Sequence, residues 1–222
     1  MTDLKSSKRY IAIFFLLAVV VLLRLFVVEI KRVEDWQMFP SFYQNDFFVL
    51  NKIAKKPELG EVYFFADSEE APGGLYRVLG LAGDKVQYWA GRLSLNGQKL
   101  DEMQSSVSQL PFGKSAGVDL SDMSYMKYIS ESLPNKSYSV IAFESGTKEN
   151  LEEVIVPEDK LFVLKDFRSF GLDSRKFGFV SKDKIRGKAM LTLYSCTELL
   201  GDSLAVCDFF KFRKGRFFTR IP

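Results

Sequence analysis

The chain has 222 residues, 47% of them hydrophobic, and a net charge of +3 from 31 basic and 28 acidic residues. This allows one domain with a proper core plus a membrane segment, or at most two small domains, and excludes a polybasic chain built for nucleic acid. The absence of histidine excludes Ser-His-Asp and Cys-His catalysis and any histidine metal site, and two cysteines are too few for a structural zinc site, so no metal and no cofactor is expected.

The first element is the apolar run Tyr10–Val28, broken only by Arg24. As a helix it is about 28 Å long, close to the hydrocarbon thickness of a bilayer. Arg24 lies near one end, where its long side chain can snorkel to the headgroups. Lys5, Lys8 and Arg9 precede the run, which places residues 1–9 in the cytoplasm as a short tail and residues 29–222 outside it. Lys31 and Arg32 weaken that bias without reversing it. The competing reading, a cleaved signal peptide, is disfavoured because the run is long for an h-region and no small-x-small site follows. Just beyond it, Trp36, Phe39, Phe42 and Tyr43 are expected at the membrane interface.

The remainder reads as β-structure, for which 21 phenylalanines are suited. Asp46–Asn51 and Glu61–Ala66 are expected strands, the second entered by a turn at Pro57–Gly60. After a loop at Pro72–Gly74 come strands at Leu75–Leu81, Lys85–Trp89 and Arg92–Leu95, with Asn96-Gly97 as a two-residue hairpin signal. Residues 101–153 are polar and lack clear periodicity; they read either as an insertion with its own short strands, such as Tyr138–Phe143, or as a mobile loop. Leu161–Leu164 and Ala189–Tyr194 complete the strands. Cys196 and Cys207 can pair in an oxidising compartment, but their spacing leaves the bridge open and is not that of a C-x-x-C redox site.

Several segments carry a family resemblance. Met38-Phe39-Pro40-Ser41 has the frame of a nucleophile loop, followed by Asp46-Phe47-Phe48-Val49-Leu50-Asn51-Lys52 and Gly60-Glu61-Val62. Arg77-Val78-Leu79-Gly80-Leu81-Ala82-Gly83-Asp84 and Asn96-Gly97 come next, then Asp166-Phe167-Arg168 and Asp173-Ser174-Arg175-Lys176-Phe177-Gly178-Phe179-Val180. In this order, behind one apolar run, they resemble bacterial signal peptidase I, a membrane-anchored serine protease that removes signal peptides from exported proteins. The resemblance implies a mainly β domain behind one N-terminal transmembrane helix in the bacterial cytoplasmic (inner) membrane. It also implies a serine nucleophile, a neutral lysine base with a burial-depressed pKa, a serine that orients it, and a serine that binds the oxyanion.

None of the four is kept. The nucleophile place holds Gln37, the base place Tyr76, the orienting place Gly171 and the oxyanion place Asp35. An amide forms no acyl-enzyme, and a phenol with a reference pKa of ~10 is a poor base at neutral pH. Lys165 and Phe167 stand where the family has glycine and asparagine. The resemblance further implies ion pairs Arg77–Asp166 and Asp173–Arg175, and a groove formed by Met38, Phe39, Pro40, Tyr76 and Phe167. Ser41 and Lys52 form the nearest substitute dyad. The expected function is therefore an inactive homologue, in contact with membrane lipid, that binds signal peptides, preproteins or an active peptidase. An active peptidase with a relocated dyad and a purely structural envelope protein are the alternatives.

Overall fold

Short runs rich in β-branched and aromatic residues form strands throughout the chain after residue 28. The computed structural model describes residues 2–106, 126–143, 149–200, 206–208 and 210–222, so parts of the 101–153 segment lie outside the described residues. One helix, α1 (Thr2–Phe26), opens the chain. It takes in the expected tail as well as the apolar run, and stops two residues short of Val28. Among the described residues no helix is long and apolar enough to cross a membrane.

The strands follow in order: β1 (Val28–Arg32), β2 (Asp46–Asn51), β3 (Val62–Phe65), β4 (Gly74–Gly80), β5 (Lys85–Trp89), β6 (Arg92–Leu95) and β7 (Gln98–Lys99). Next come β8 (Asp101–Ser106), β9 (Met126–Leu133), β10 (Lys136–Phe143), β11 (Leu151–Ile155) and β12 (Lys160–Leu164). The short helix α2 (Ser174–Phe177) precedes β13 (Val180–Ser181), the long β14 (Ile185–Ser195) and β15 (Thr219–Arg220). The main sheet has the order β1-β2-β14-β3-β4-β12-β13, with β15 added beside β14. Two smaller sheets, β11-β5-β6-β7 and β10-β9-β8, pack against it. Asn96 and Gly97 both have positive φ, 53° and 79°, as a tight hairpin turn between β6 and β7 requires.

Strand β1 gave no sequence signal, because it is short and three of its five residues, Glu29, Lys31 and Arg32, are charged. The described parts of 101–153 form β8, β9, β10 and the start of β11, and the rest of that segment lies outside the described residues. Strand β10 joins the main body through Ile141, which donates to Asp166 O at 3.0 Å and accepts from Arg168 N at 2.7 Å. That docking corrects the expectation for the aromatic cluster. Phe39, Phe42 and Tyr43 are buried rather than set at a membrane interface. Phe39 and Tyr43 pack on Ile141 and Phe167 with Trp36 half-buried beside them, and Phe42 packs on Phe48 and Met38. Their covering residues are distant in sequence, so local composition could not reveal the burial.

Cys196 and Cys207 form a disulfide that packs on Phe47. Strand β14 crosses β2 with two register shifts, and Gly187 lies at the closest approach. A Cβ there would sit 2.4 Å from Asn51 O, so backbone would have to move. Gly187→Ala is expected to destabilise the protein by about 1–3 kcal/mol, read as a lowered urea midpoint at unchanged m-value.

Candidate active site

Three segments converge: the loop between β1 and β2, the start of β4, and the chain following β12. The loop is tied at its base by Val33 N to Asp46 O (2.8 Å) and Asn45 N to Val33 O (2.9 Å). Gln37 O accepts from Phe167 N at 2.9 Å, which joins the loop to the third segment. The structure thus brings Asp35, Gln37, Tyr76, Lys165 and Gly171 into one region.

The frame is ionic. Arg77 is fully buried and forks onto Asp166, with Nε to Oδ1 at 2.8 Å and Nη2 to Oδ2 at 2.7 Å. Its remaining protons go to Gly60 O, Ser41 Oγ and Pro222 O, and its plane lies 4.2 Å from the Tyr138 ring centroid. Asp173 pairs with Arg175 through two bonds of 2.8 and 2.7 Å, caps α2 through Arg175 N, and accepts from Lys165 N. Both ion pairs expected from the sequence are present. A third pair, Arg168–Glu131, is buried beside them and had no sequence signal, since Glu131 lies on β9 of the inserted region. Every charge in these pairs is matched, which a buried charge needs.

Within this frame, three of the four places that the resemblance assigns hold side chains with definite partners. Gln37 Nε2 donates to Asp35 Oδ2 at 2.8 Å and Gln37 N donates to Asp35 Oδ1 at 3.0 Å. Both oxygens of Asp35 are thereby occupied. Tyr76 is only 1% exposed, packs edge-on against Phe65 and Phe177, and donates to Pro72 O at 2.8 Å. Burial, then the charges of Asp173, Asp35 and Asp67, push its phenol well above the ordinary tyrosine range. It is a hydrogen-bond donor at neutral pH, not a base.

Lys165 is the residue that sequence reasoning left out of the site. Its side chain is buried, its Nζ donates to Leu75 O at 2.7 Å, and it sits 3.7 Å from the centroid of the Tyr76 ring. Burial lowers its pKa to about 8, against the opposing pull of Asp35, Asp173 and Asp166. A lysine where the resemblance implies glycine was the available signal. Gly171 lies against the same side chain, and a Cβ there would be 2.8 Å from both Lys165 Cβ and Cγ. A serine at residue 171 and a lysine at residue 165 therefore exclude one another in this arrangement.

A groove of about 600 Å³ opens beside this centre, between β1 with the following loop and the start of β4. Asp35, Met38, Asp67, Gly74, Leu75 and Lys165 are among its lining residues. Of the five residues expected to form a groove, Met38 alone lines it. Phe39, Pro40, Tyr76 and Phe167 are buried in the core, because the inserted sheet and Lys165 cover them. Ser41 and Lys52 are not brought together as a dyad. Ser41 Oγ accepts from Arg77 Nη2 at 2.9 Å, whereas Lys52 Nζ donates to Leu25 O, in the last turn of α1, at 2.6 Å.

A family profile described as "Signal peptidase, peptidase S26" matches residues 7–194. The chain is similar to "Probable signal peptidase I-2" of Synechocystis, 26% identical over 181 residues, covering 78% of this chain and 66% of that protein. It thus spans about two thirds of that relative's length. It is also 26% identical over 180 residues to signal peptidase IB of Staphylococcus aureus, covering 78% of this chain and 81% of that protein. A crystal structure of a signal peptidase I from Enterococcus faecalis V583 shares 25% identity over 61% of this chain and 97% of that chain, with a TM-score of 0.35.

Two outcomes are expected from this geometry. Arg77→Met leaves Asp166 buried and unpaired, and should cost about 3–5 kcal/mol in urea unfolding. Lys165 titrates near 8 when folded and near ~10.4 when unfolded. Between those values the unfolded chain binds more protons, so wild-type stability gains with rising pH, and the penalty is complete below pH 8. Relative to Lys165→Met, the wild type should gain on the order of 3 kcal/mol between pH 7 and 10.5. A constant difference between the two proteins would mean that burial does not shift the titration of this amine.

Proposed function

Since the chain belongs to the signal peptidase family, peptidase S26, we propose that it is a membrane-anchored member that binds extended peptide segments of exported precursors but does not cleave them. The observation that carries this reading is the pairing of Gln37 with Asp35. At the place that the family resemblance assigns to the nucleophile, an amide is held by a carboxylate. The amide nitrogen has no free lone pair for attack on a carbonyl. The carboxylate beside it would repel a developing oxyanion. Tyr76, at the base place, holds its proton ever more tightly as burial raises its pKa.

The anchor reading rests on α1. Among its described side chains, Tyr10, Ile13, Phe14, Phe15, Leu22 and Phe26 are exposed on the protein. An apolar helix face that no protein covers is suited to lipid. The basic residues before the run set the amino terminus in the cytoplasm and the β-domain outside it. Peptide binding needs no nucleophile, because strand addition depends on backbone hydrogen bonds. The groove offers two walls for it, β1 and the start of β4.

The test is cleavage of a preprotein by the purified full-length protein in detergent, beside an active signal peptidase I. No product is expected from the wild type when the active enzyme has converted all its substrate. Cleavage by the wild type would overturn the proposal. Rescue adds a second prediction. Gln37→Ser, Tyr76→Lys and Gly171→Ser together should stay inactive, because the side chain introduced at residue 171 would collide with Lys165. Adding Lys165→Gly should raise cleavage at least about ten-fold over that triple variant, by allowing the orienting hydroxyl to take its place. Equal activities would mean that a serine at residue 171 fits beside Lys165 after all.

A further inference from the structure

The edge of β4 is only half paired. Strand β12 meets it at Arg77, Val78 and Gly80, and goes no further. Gly74, Leu75 and Tyr76 pair with β3 on one side alone. Their other side faces the groove, where Gly74, Leu75 and Lys165 are lining residues. Across the groove, β1 pairs with β2 and ends the main sheet, so among the described residues no strand pairs with its outer edge.

An open strand edge has backbone acceptors without partners, and these are what an added peptide strand uses. Here one acceptor is already taken. Lys165, the first residue after β12, donates its amine to Leu75 O at 2.7 Å. Its stem lies within the groove region and its charge rests over the Tyr76 ring. The side chain thus continues the pairing that the β12 backbone breaks off. The same side chain also makes residue 171 a glycine, as the 2.8 Å approach to Lys165 Cβ and Cγ requires.

We propose that Lys165 is a specificity-determining strap on the groove: its amine holds the Leu75 carbonyl that an extended peptide must pair with, and it swings away when such a peptide enters. This rests on the peptide-binding reading above and deepens it. The strap is made of side-chain contacts only, so it opens by rotamer change without unfolding β4. Two contacts must be given up at once, a charge-assisted hydrogen bond and a cation–π contact. Together they should weaken peptide affinity by about ten- to a hundred-fold.

The experiment is fluorescence polarisation of a labelled, alanine-rich ten-residue peptide against the full-length protein in detergent. Wild type, Lys165→Gly and Lys165→Met are compared, each checked for an unchanged near-ultraviolet circular dichroism spectrum. Lys165→Gly should bind at least about ten-fold tighter than wild type. Lys165→Met keeps an apolar stem over Tyr76 but has no donor, so it should fall between them and serves where the glycine variant fails to fold. The same peptide N-methylated along its backbone should lose the gain, because it cannot supply the N–H that replaces the amine. Equal binding by wild type and both variants would overturn the strap and leave the peptide-binding reading standing. Binding by none of the three at millimolar peptide would overturn both.

Discussion

The buried pair of Arg77 and Asp166 is the contact on which the rest of the site depends. It joins β4 to the segment after β12 through two parallel hydrogen bonds and places a matched charge pair where water does not reach. Arg77 then gathers Gly60 O, Ser41 Oγ and Pro222 O, so the loop before β3, the loop after β1 and the end of the chain all meet at one guanidinium. Such a hub is costly to dismantle, because removing either partner leaves an uncompensated charge in the core. Its survival follows from folding and says nothing about chemistry. The segment from 165 to 175 stays in register with β4 whether or not a nucleophile faces it.

Around that fixed frame the altered residues form a mutually dependent set. Lys165 fills space that needs Gly171 to be a glycine. Its ammonium rests on the Tyr76 ring and gains from it what the buried environment otherwise denies a charge. Tyr76 in turn fits because Phe65 and Phe177 close around its ring and Pro72 O accepts its proton. Asp35 and Gln37 satisfy each other. A Cβ at residue 171 would clash with Lys165, whereas the Asp35–Gln37 pair lies exposed, where water can replace either partner.

The architecture was legible where local pattern and tertiary demand agree. Short runs of aromatic and β-branched residues bounded by turn signals marked β2, β3, β5 and β6, Asn96-Gly97 marked the hairpin, and the family segments gave both ion pairs in advance. It was not legible where the partner lies far along the chain. Strand β1 is hidden because it is short and three of its five residues are charged, so it lacks an apolar strand signal. Phe39, Phe42 and Tyr43 read as interfacial because Ile141 and Phe167, which cover the first and last of them, are about a hundred residues away on β10 and the segment after β12. Glu131 gave no signal as a buried counter-ion for the same reason.

By itself the sequence determined the family, the predominance of β-structure, the long apolar run, and the loss of serine and lysine from the places that the resemblance assigns to them. Each of these is a property of residue identity and order, which no packing can change. The tertiary structure alone decided what replaced them. The Asp35–Gln37 and Lys165–Gly171 contacts depend on how short local segments fold, whereas the reach of Lys165 to Leu75 O and of Phe167 N to Gln37 O depends on distances between segments remote in sequence. Those distances are set by the buried Arg77–Asp166 pair and by the docking of β10, neither of which a local pattern encodes.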